Sequence, residues 1–339
     1  MTKHGFKPWL AAAVCLIAAI ALPFFIPTYY VQFLSKALII GMLAMALNLV
    51  VGHGGLVSLC HAAFFGLSGY VLAMLSPRYD AASIALTLPL AILASAAAAL
   101  VIGALALRTR GIYFIMVTLA FGEMLFFFFH DTKVAGGSDG AFINVKPELV
   151  IAGRALLDLD KPLTFYFVVL AALVGVIALL VMLVRSPFGH ALAAARDNER
   201  RARALGFPIF RIRLTAFVIS GALAGLAGYL AAVQFGFVAP QMLGWHQSAT
   251  VLVMVLIGGL RSVTGPLLGA LVLIGLEEVL KANLDNWKLA EGLIIIAIVV
   301  ALPHGVKQIW PMIFGPPSGR GGARQAAAES PRVGEASHV

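Results

Sequence analysis

The chain has 339 residues, 61% of them apolar and only 12% charged, with a mean hydropathy of +0.98. Soluble globular chains run near ~45–50% apolar and ~25% charged, so this composition excludes a water-soluble enzyme, a nucleic-acid-binding domain and a disordered scaffold. The formal charge of +9 is then read as a distribution between two sides of a bilayer rather than as a phosphate-binding surface.

A helix crossing the hydrocarbon core needs about 20 mostly apolar residues, within a range of about 17–25. On that rule the sequence predicts an all-α polytopic membrane protein with about ten spans, at 9–26, 37–51, 56–75, 82–107, 112–130, 163–184, 214–235, 248–260, 264–281 and 290–303. The second is short unless it begins nearer Tyr29, and the third is interrupted by Gly66 and Gly69. The eighth and tenth are short enough to be re-entrant or tilted pieces.

The charges test the count. With the N-terminus inside and strict alternation, the cytoplasmic segments hold sixteen of the 24 basic residues against four acids. Seven of those sixteen are the arginines from Arg185 to Arg213. A basic inside is what the positive-inside bias predicts, so both termini are expected in the cytoplasm. Residues 1–8 then form a cytoplasmic N-terminus and 9–303 the membrane domain, with 131–162 as an outer loop and 185–213 as a cytoplasmic coupling loop. Residues 304–339 form a cytoplasmic tail, disordered from about Pro316, where Gly, Ala, Ser, Pro and Arg cannot bury enough apolar surface to fold. The N-terminus has a competing reading. Lys3, Lys7, the apolar run from Trp9 and the triplet Ala19-Ile20-Ala21 also fit a cleaved secretory signal, although the run continues through Phe24-Phe25-Ile26.

Catalytic signatures are few. No Gly-Lys pair occurs, so there is no P-loop, and no histidine precedes a glutamate, so there is no HExxH site. Cys15 and Cys60 form no CxxC, and no metal site is indicated. Gly136-Gly137-Ser138-Asp139-Gly140 matches G-x-S-x-G, but that motif acts only on a strand-to-helix elbow with a triad behind it. Here it is expected to be a turn between membrane helices.

The richest stretch runs from Ser186 to Pro208. Ser186-Pro187 can start a helix, and Gly206 followed by Pro208 ends one. Between them Leu192, Ala195, Glu199, Ala202 and Leu205 recur at helical spacing, while Arg196, Arg200 and Arg203 line a neighbouring face. Asp197 and Arg201 stand four apart and can pair. A headgroup-hugging basic loop is one reading; a capped docking helix for a soluble cytoplasmic subunit is the sharper one. Its coupling candidates are Gly189, Arg196, Asp197, Glu199, Arg200, Arg203 and Gly206.

Glu123 is the one carboxylate placed well inside a span. A charge there faces a cavity or a partner, or is protonated and shared between helices. Asn48, His53, Ser58, His61 and Gln234 complete the candidates for a translocation path. His61 also reads as a satisfied interhelical histidine, and the glycines around it either break a helix near a substrate site or pack helices tightly. Gly66-Leu67-Ser68-Gly69-Tyr70 has a faint echo at Gly225-Leu226-Ala227-Gly228-Tyr229.

Several stretches together resemble one known family. They are Asn48 to Tyr70, Leu107 to Phe114 with Thr118-Leu119-Ala120, Gly136 to Gly140, the arginine loop, and Leu252 to Ala270. In this order they resemble the LivM-type permeases of branched-chain amino acid ABC transporters, over about residues 37 to 303. Cys60 stands where that pattern usually has glycine, His190 where it has arginine, and Arg261 where it has a small residue. The resemblance implies a ten-helix, type II importer-like permease in the bacterial inner membrane. It implies a second, LivH-like permease, two cytoplasmic ATPase subunits carrying ATP and magnesium, and a periplasmic amino-acid-binding protein as partners, with no cofactor on this chain. Permeases for urea or short-chain amides are the nearest alternative; a proton-coupled carrier using Glu123 is the alternative from another class.

Overall fold

The computed structural model describes residues 16–301, apart from 78, 134–135, 152–153, 158 and 261. Residues 1–15 of the proposed signal, Arg261 and the C-terminal tail lie outside the described residues, while Ala19-Ile20-Ala21 lies within them. The described residues are mostly helical, as apolar sequence must be where lipid offers the backbone no hydrogen-bond partner. Residues 16–21 are helical and end in a 3-10 turn, Leu22–Phe24.

α1, Thr28–Asn48, starts behind Pro27 and continues through a π-type turn, Leu49–His53. This 26-residue segment is nine residues longer at its start than the predicted 37–51. α2, His61–Leu75, is only 15 residues long, about 22 Å at 1.5 Å per residue. The sequence expectation of 56–75 interrupted at Gly66 and Gly69 is corrected here. The break lies at 54–60, where the backbone leaves the helix, and both glycines sit inside unbroken helix. They serve approach instead: a Cβ at Gly66 would stand 2.3 Å from Leu243 Cδ1.

α3 (Ile84–Ala106), α4 (Ile112–Asp131) and α5 (Pro162–Arg185) match their predicted spans within two residues. The arginine loop forms two helices rather than one, α6 (Pro187–Asp197) and α7 (Glu199–Ala204). Asn198 sits between them at φ −155°, and its side chain accepts from Arg201 N–H, capping the second. α8 (Ile209–Phe235), α9 (Trp245–Gly258), α10 (Gly265–Asn283) and α11 (Trp287–Ala301) follow.

Among the described residues, five helical segments are long and apolar enough to cross a membrane: 28–53, α3, α4, α5 and α8. They differ in burial. About four-fifths of α1 and α8 is buried (83% and 78% of the apolar window), against 22–28% for α3, α4 and α5. α1 and α8 therefore form the hub, with α2 packed on α8, α10 and α5 on α1, and α3 on α2 and α8. The outer helices expose apolar residues such as Leu93, Met124, Phe128 and Met182, which suits lipid.

The outer loop, of unstated fold in the sequence reading, is ordered where described. β1 (Ala141–Phe142) pairs antiparallel with β4 (Phe237–Val238) beyond α8, and β2 (Leu149–Ile151) pairs with β3 (Arg154–Leu157). The Gly136–Gly140 stretch is a turn, with Gly136, Gly137 and Gly140 all at positive φ, a region that side chains with a Cβ rarely enter. No elbow forms there.

Long-range contacts sort the chain into two ends. At one, Arg196 meets Gly52, Arg110 meets Glu199, and Asn48 meets Ser262. At the other, Gln234 meets Gln32, Tyr29 meets Glu278, and Ile84 N–H meets the Glu148 carbonyl. Both groups keep to the sides that strict alternation assigns.

Candidate functional site

Two regions hold the polar chemistry, one at the arginine-rich end and one within the helix hub. At the arginine-rich end, Ser186 caps α6 by accepting from Gly189 N–H at 3.4 Å. Gly189 lies so close to the end of α5 that a Cβ would stand 2.3 Å from the Val184 carbonyl oxygen. Leu192, Ala195 and Ala202 are buried as their spacing predicted, but Leu205 is exposed because the break at Asn198 turns it outward. Asp197 pairs with Arg196, not with Arg201: Arg196 Nη2 and Nε lie 2.8 and 3.0 Å from Asp197 Oδ1.

Arg196 also reaches out of its helix. Its Nη1 donates to the Gly52 carbonyl at 2.7 Å, within the π-type turn that ends α1. Gly55, at φ +69°, makes room for it, since a Cβ there would stand 2.4 Å from Arg196 Cγ. Glu199 is a second junction. Its carboxylate meets Arg203 (2.7 Å), Arg213 (3.0 Å) and Arg110 (3.2 Å), so one acid ties α7, α8 and the α3–α4 turn together. Burial pushes the Glu199 carboxyl up, and Arg213, Arg110 and Arg203 together pull it below its ordinary value. Arg213 also donates to the Ala195 carbonyl at 3.2 Å. Arg200 is exposed and makes no hydrogen bond or ion pair among the described residues. Together with Arg110, Asp197, Asn198, Glu199 and Arg203 it lines an open depression of about 520 Å³. Gly206 closes the segment at φ +85°.

Within the hub, Ser58 and His61 come together and the other path candidates do not join them. Ser220 Oγ donates to the Ala46 carbonyl, so its lone pairs face His61 Nε2 at 2.7 Å. Nε2 must therefore carry the ring proton, and Nδ1 accepts from Ser58 Oγ at 3.2 Å. The Cys60 thiol, 3.3 Å from Ser58 Oγ, completes the chain. His61 is fully buried and bonded at both nitrogens, the satisfied interhelical histidine of the two sequence readings. The echo segments also meet: Ser68 Oγ donates to the Gly225 carbonyl at 2.6 Å, and a Cβ on Gly228 would stand 1.9 Å from the Phe65 carbonyl oxygen.

Asn48 is buried, donating from Nδ2 to the Ser262 carbonyl at 2.8 Å, and His53 Nδ1 lies 3.4 Å from the Asn48 carbonyl. Glu123 reaches across to the start of α9, where Oε1 accepts from Trp245 N–H at 2.9 Å. The N-cap residue there, Gly244, has no side chain for the task, so a carboxylate from α4 satisfies an orphan donor at the positive end of the helix. Gln234 donates to the Gln32 carbonyl at 2.7 Å and borders a cavity.

Sequence reasoning missed Lys36. Drawing the second span from residue 37 left it in an outer connection, whereas α1 begins at Thr28 and carries Lys36 two turns inside. The signal was present in the shortness of the predicted span.

Residues 29–302 match the family described as "branched-chain amino acid transport system / permease component". The chain belongs to this family. It is 32% identical to the "high-affinity branched-chain amino acid transport system permease protein LivM" of Salmonella typhimurium (strain LT2) and to that of Escherichia coli (strain K12), in each case over 88% of this chain and 75% of the relative. It is 26% identical to the "L-arabinose ABC transporter permease protein AraH" of Azospirillum brasilense, over 72% of this chain and 70% of that one. No solved structure matches the chain. The protein is thus a multi-pass membrane permease subunit and not an enzyme. The family match, not the state of Glu123, decides against a proton-coupled carrier.

Proposed function

We propose that the chain forms half of a conduit importing leucine, isoleucine, valine or close aliphatic relatives. Its partners are a second, LivH-like permease, two cytoplasmic ATPase subunits and a periplasmic amino-acid-binding protein, assembled in a bacterial inner membrane. The observation that carries this reading is the likeness to LivM chains across 88% of the sequence. The lack of any Gly-Lys pair fits a motor on other polypeptides, which hold the ATP and magnesium. In this reading the arginine-rich end faces the cytoplasm, ten helices cross or enter the bilayer in the type II importer manner, and both termini are inside. The sorting of contacts into two ends supports the alternation.

The coupling step follows from the geometry at α6 and α7. Arg200 and the open depression beside it present charge to a cytoplasmic partner. Arg196 ties the same helix pair to the end of α1, the most buried helix of the bundle, and Glu199 ties it to α8 and the α3–α4 turn. A pull on α6 and α7 therefore reaches both hub helices directly. Alternating access needs two packings whose balance the nucleotide state biases, and this linkage is where that bias enters.

Replacing Arg196 and Arg200 with glutamate is expected to abolish uptake of radiolabelled leucine while the chain still inserts in the membrane and is detected there at normal level. Uptake at the wild-type rate would overturn the coupling assignment. The tagged chain is also expected to co-isolate with ATPase subunits.

A further inference from the structure

Lys36 carries a charge inside α1 and is half-buried, yet among the described residues it makes no hydrogen bond or ion pair. Ionisable groups within a membrane helix ordinarily face a partner or a cavity. Lys36 faces two adjoining cavities, of about 250 and 160 Å³, which it shares with Gln234 and Phe235. The larger has a mixed wall, with Tyr29, Gln32 and Glu278 beside apolar residues such as Phe33 and Phe165. The smaller is mostly apolar, with Ile39, Ile40, Phe65 and Met242. Both are smaller than the ~300–1,000 Å³ that drug-sized ligands occupy, so an occupant must be small.

The polar groups around them are unevenly satisfied. Lys146, also on the larger cavity, is already engaged by the Leu159 carbonyl at 3.4 Å and Asp160 at 3.6 Å. Tyr29 donates its hydroxyl to Glu278. Gln234 donates its amide to the Gln32 carbonyl, which fixes the other end of the group as an acceptor, and that Oε1 is buried with no partner. An unpaired cation thus stands beside a buried acceptor that accepts nothing and a carboxylate with lone pairs to spare. A simple anion would suit Lys36 and be repelled by Glu278; a simple cation would meet the reverse. A zwitterion satisfies both.

We propose that Lys36 binds the carboxylate of an aliphatic α-amino acid, with Gln234 Oε1 and Glu278 receiving its ammonium and the apolar cavity its side chain. The inference rests on reading the chain as an amino-acid permease, and it gives that reading a site within this chain at the end opposite the arginines.

The test is binding of radiolabelled leucine to the full chain in nanodiscs, with leucinamide, which lacks the carboxylate, as competitor. The wild type should prefer leucine to leucinamide at least about tenfold, equivalent to about 1.4 kcal/mol. Lys36→Met should abolish that preference, and Lys36→Arg should keep most of it. Gln234→Leu should weaken both ligands together, because each retains the ammonium. The preference is a ratio, so it does not depend on how much of a variant folds. Equal preference in wild type and Lys36→Met would overturn the assignment. So would loss of a co-purifying anionic lipid from Lys36→Met with leucine binding unchanged, since the cation would then serve a headgroup. A wild-type chain binding no branched-chain amino acid would overturn the site, whereas the substrate reading beneath it is tested separately, by leucine uptake through the assembled transporter.

Discussion

Glu199 gathers three guanidinium groups from three separate elements, and its titration should be visible in the stability of the whole chain. Its carboxyl ionises at lower pH in the folded chain than in the unfolded one, because the arginine partners outweigh the burial that opposes them. The stability it contributes is present above the ordinary carboxylate range of about 4.3 and is lost as pH falls through the lowered folded value. Glu199→Gln is therefore expected to cost about 1–3 kcal/mol near neutral pH, the size of a charge-assisted hydrogen-bond loss. In thermal unfolding of the detergent-purified protein, the gap between variant and wild type should close as pH falls from about 7 to about 3. A gap that stays constant across that range would mean the carboxylate charge is not what joins α7 to α8.

At the scale of helices, close approach of backbones is what the hub requires. Small residues allow it, and Gly228 is the tightest case, with the Phe65 carbonyl where its Cβ would be. That neighbour is backbone and cannot rotate away, so Gly228→Val should prevent α2 and α8 from seating. Little monodisperse protein should be recovered in size-exclusion chromatography. Gly175, on α5, has nothing within 4 Å of its Cβ position. Gly175→Ala should be neutral or stabilising by up to about 1 kcal/mol through helix propensity. If both variants behaved alike, the packing of α2 on α8 would not be limited by that contact. The same logic explains α2 itself: glycine is a poor helix former, and the close contacts at Gly66 and Gly69 keep both within the helix.

Among the described residues, the hydrogen bonds and ion pairs that mark the two ends of the bundle join segments of one end only. Tyr79, exposed near the β-structured end, and Arg201, exposed at the arginine end, should therefore face opposite compartments. In intact cells, a membrane-impermeant maleimide is expected to label Tyr79→Cys directly and Arg201→Cys only after permeabilisation. The background should be low from Cys60, which is buried. Labelling of both from the same side would break the alternation on which the coupling scheme depends.

Which segments are helices was legible in the residues alone, because hydropathy over twenty residues and the capping of Ser186 are local properties, whereas the breaks at 54–60 and at Asn198 were not. The sequence also determined the family, through motifs spread along the chain in order. Only the tertiary structure decided what the polar residues do. His61 finds Ser220 159 positions away, Glu123 finds the start of a helix 122 positions on, and Arg196 finds a carbonyl 144 positions back. Lys36 became a candidate only when its helix proved to begin before it and two cavities proved to open beside it. Such pairings depend on which helix faces pack together, and no local pattern encodes a neighbour that distant.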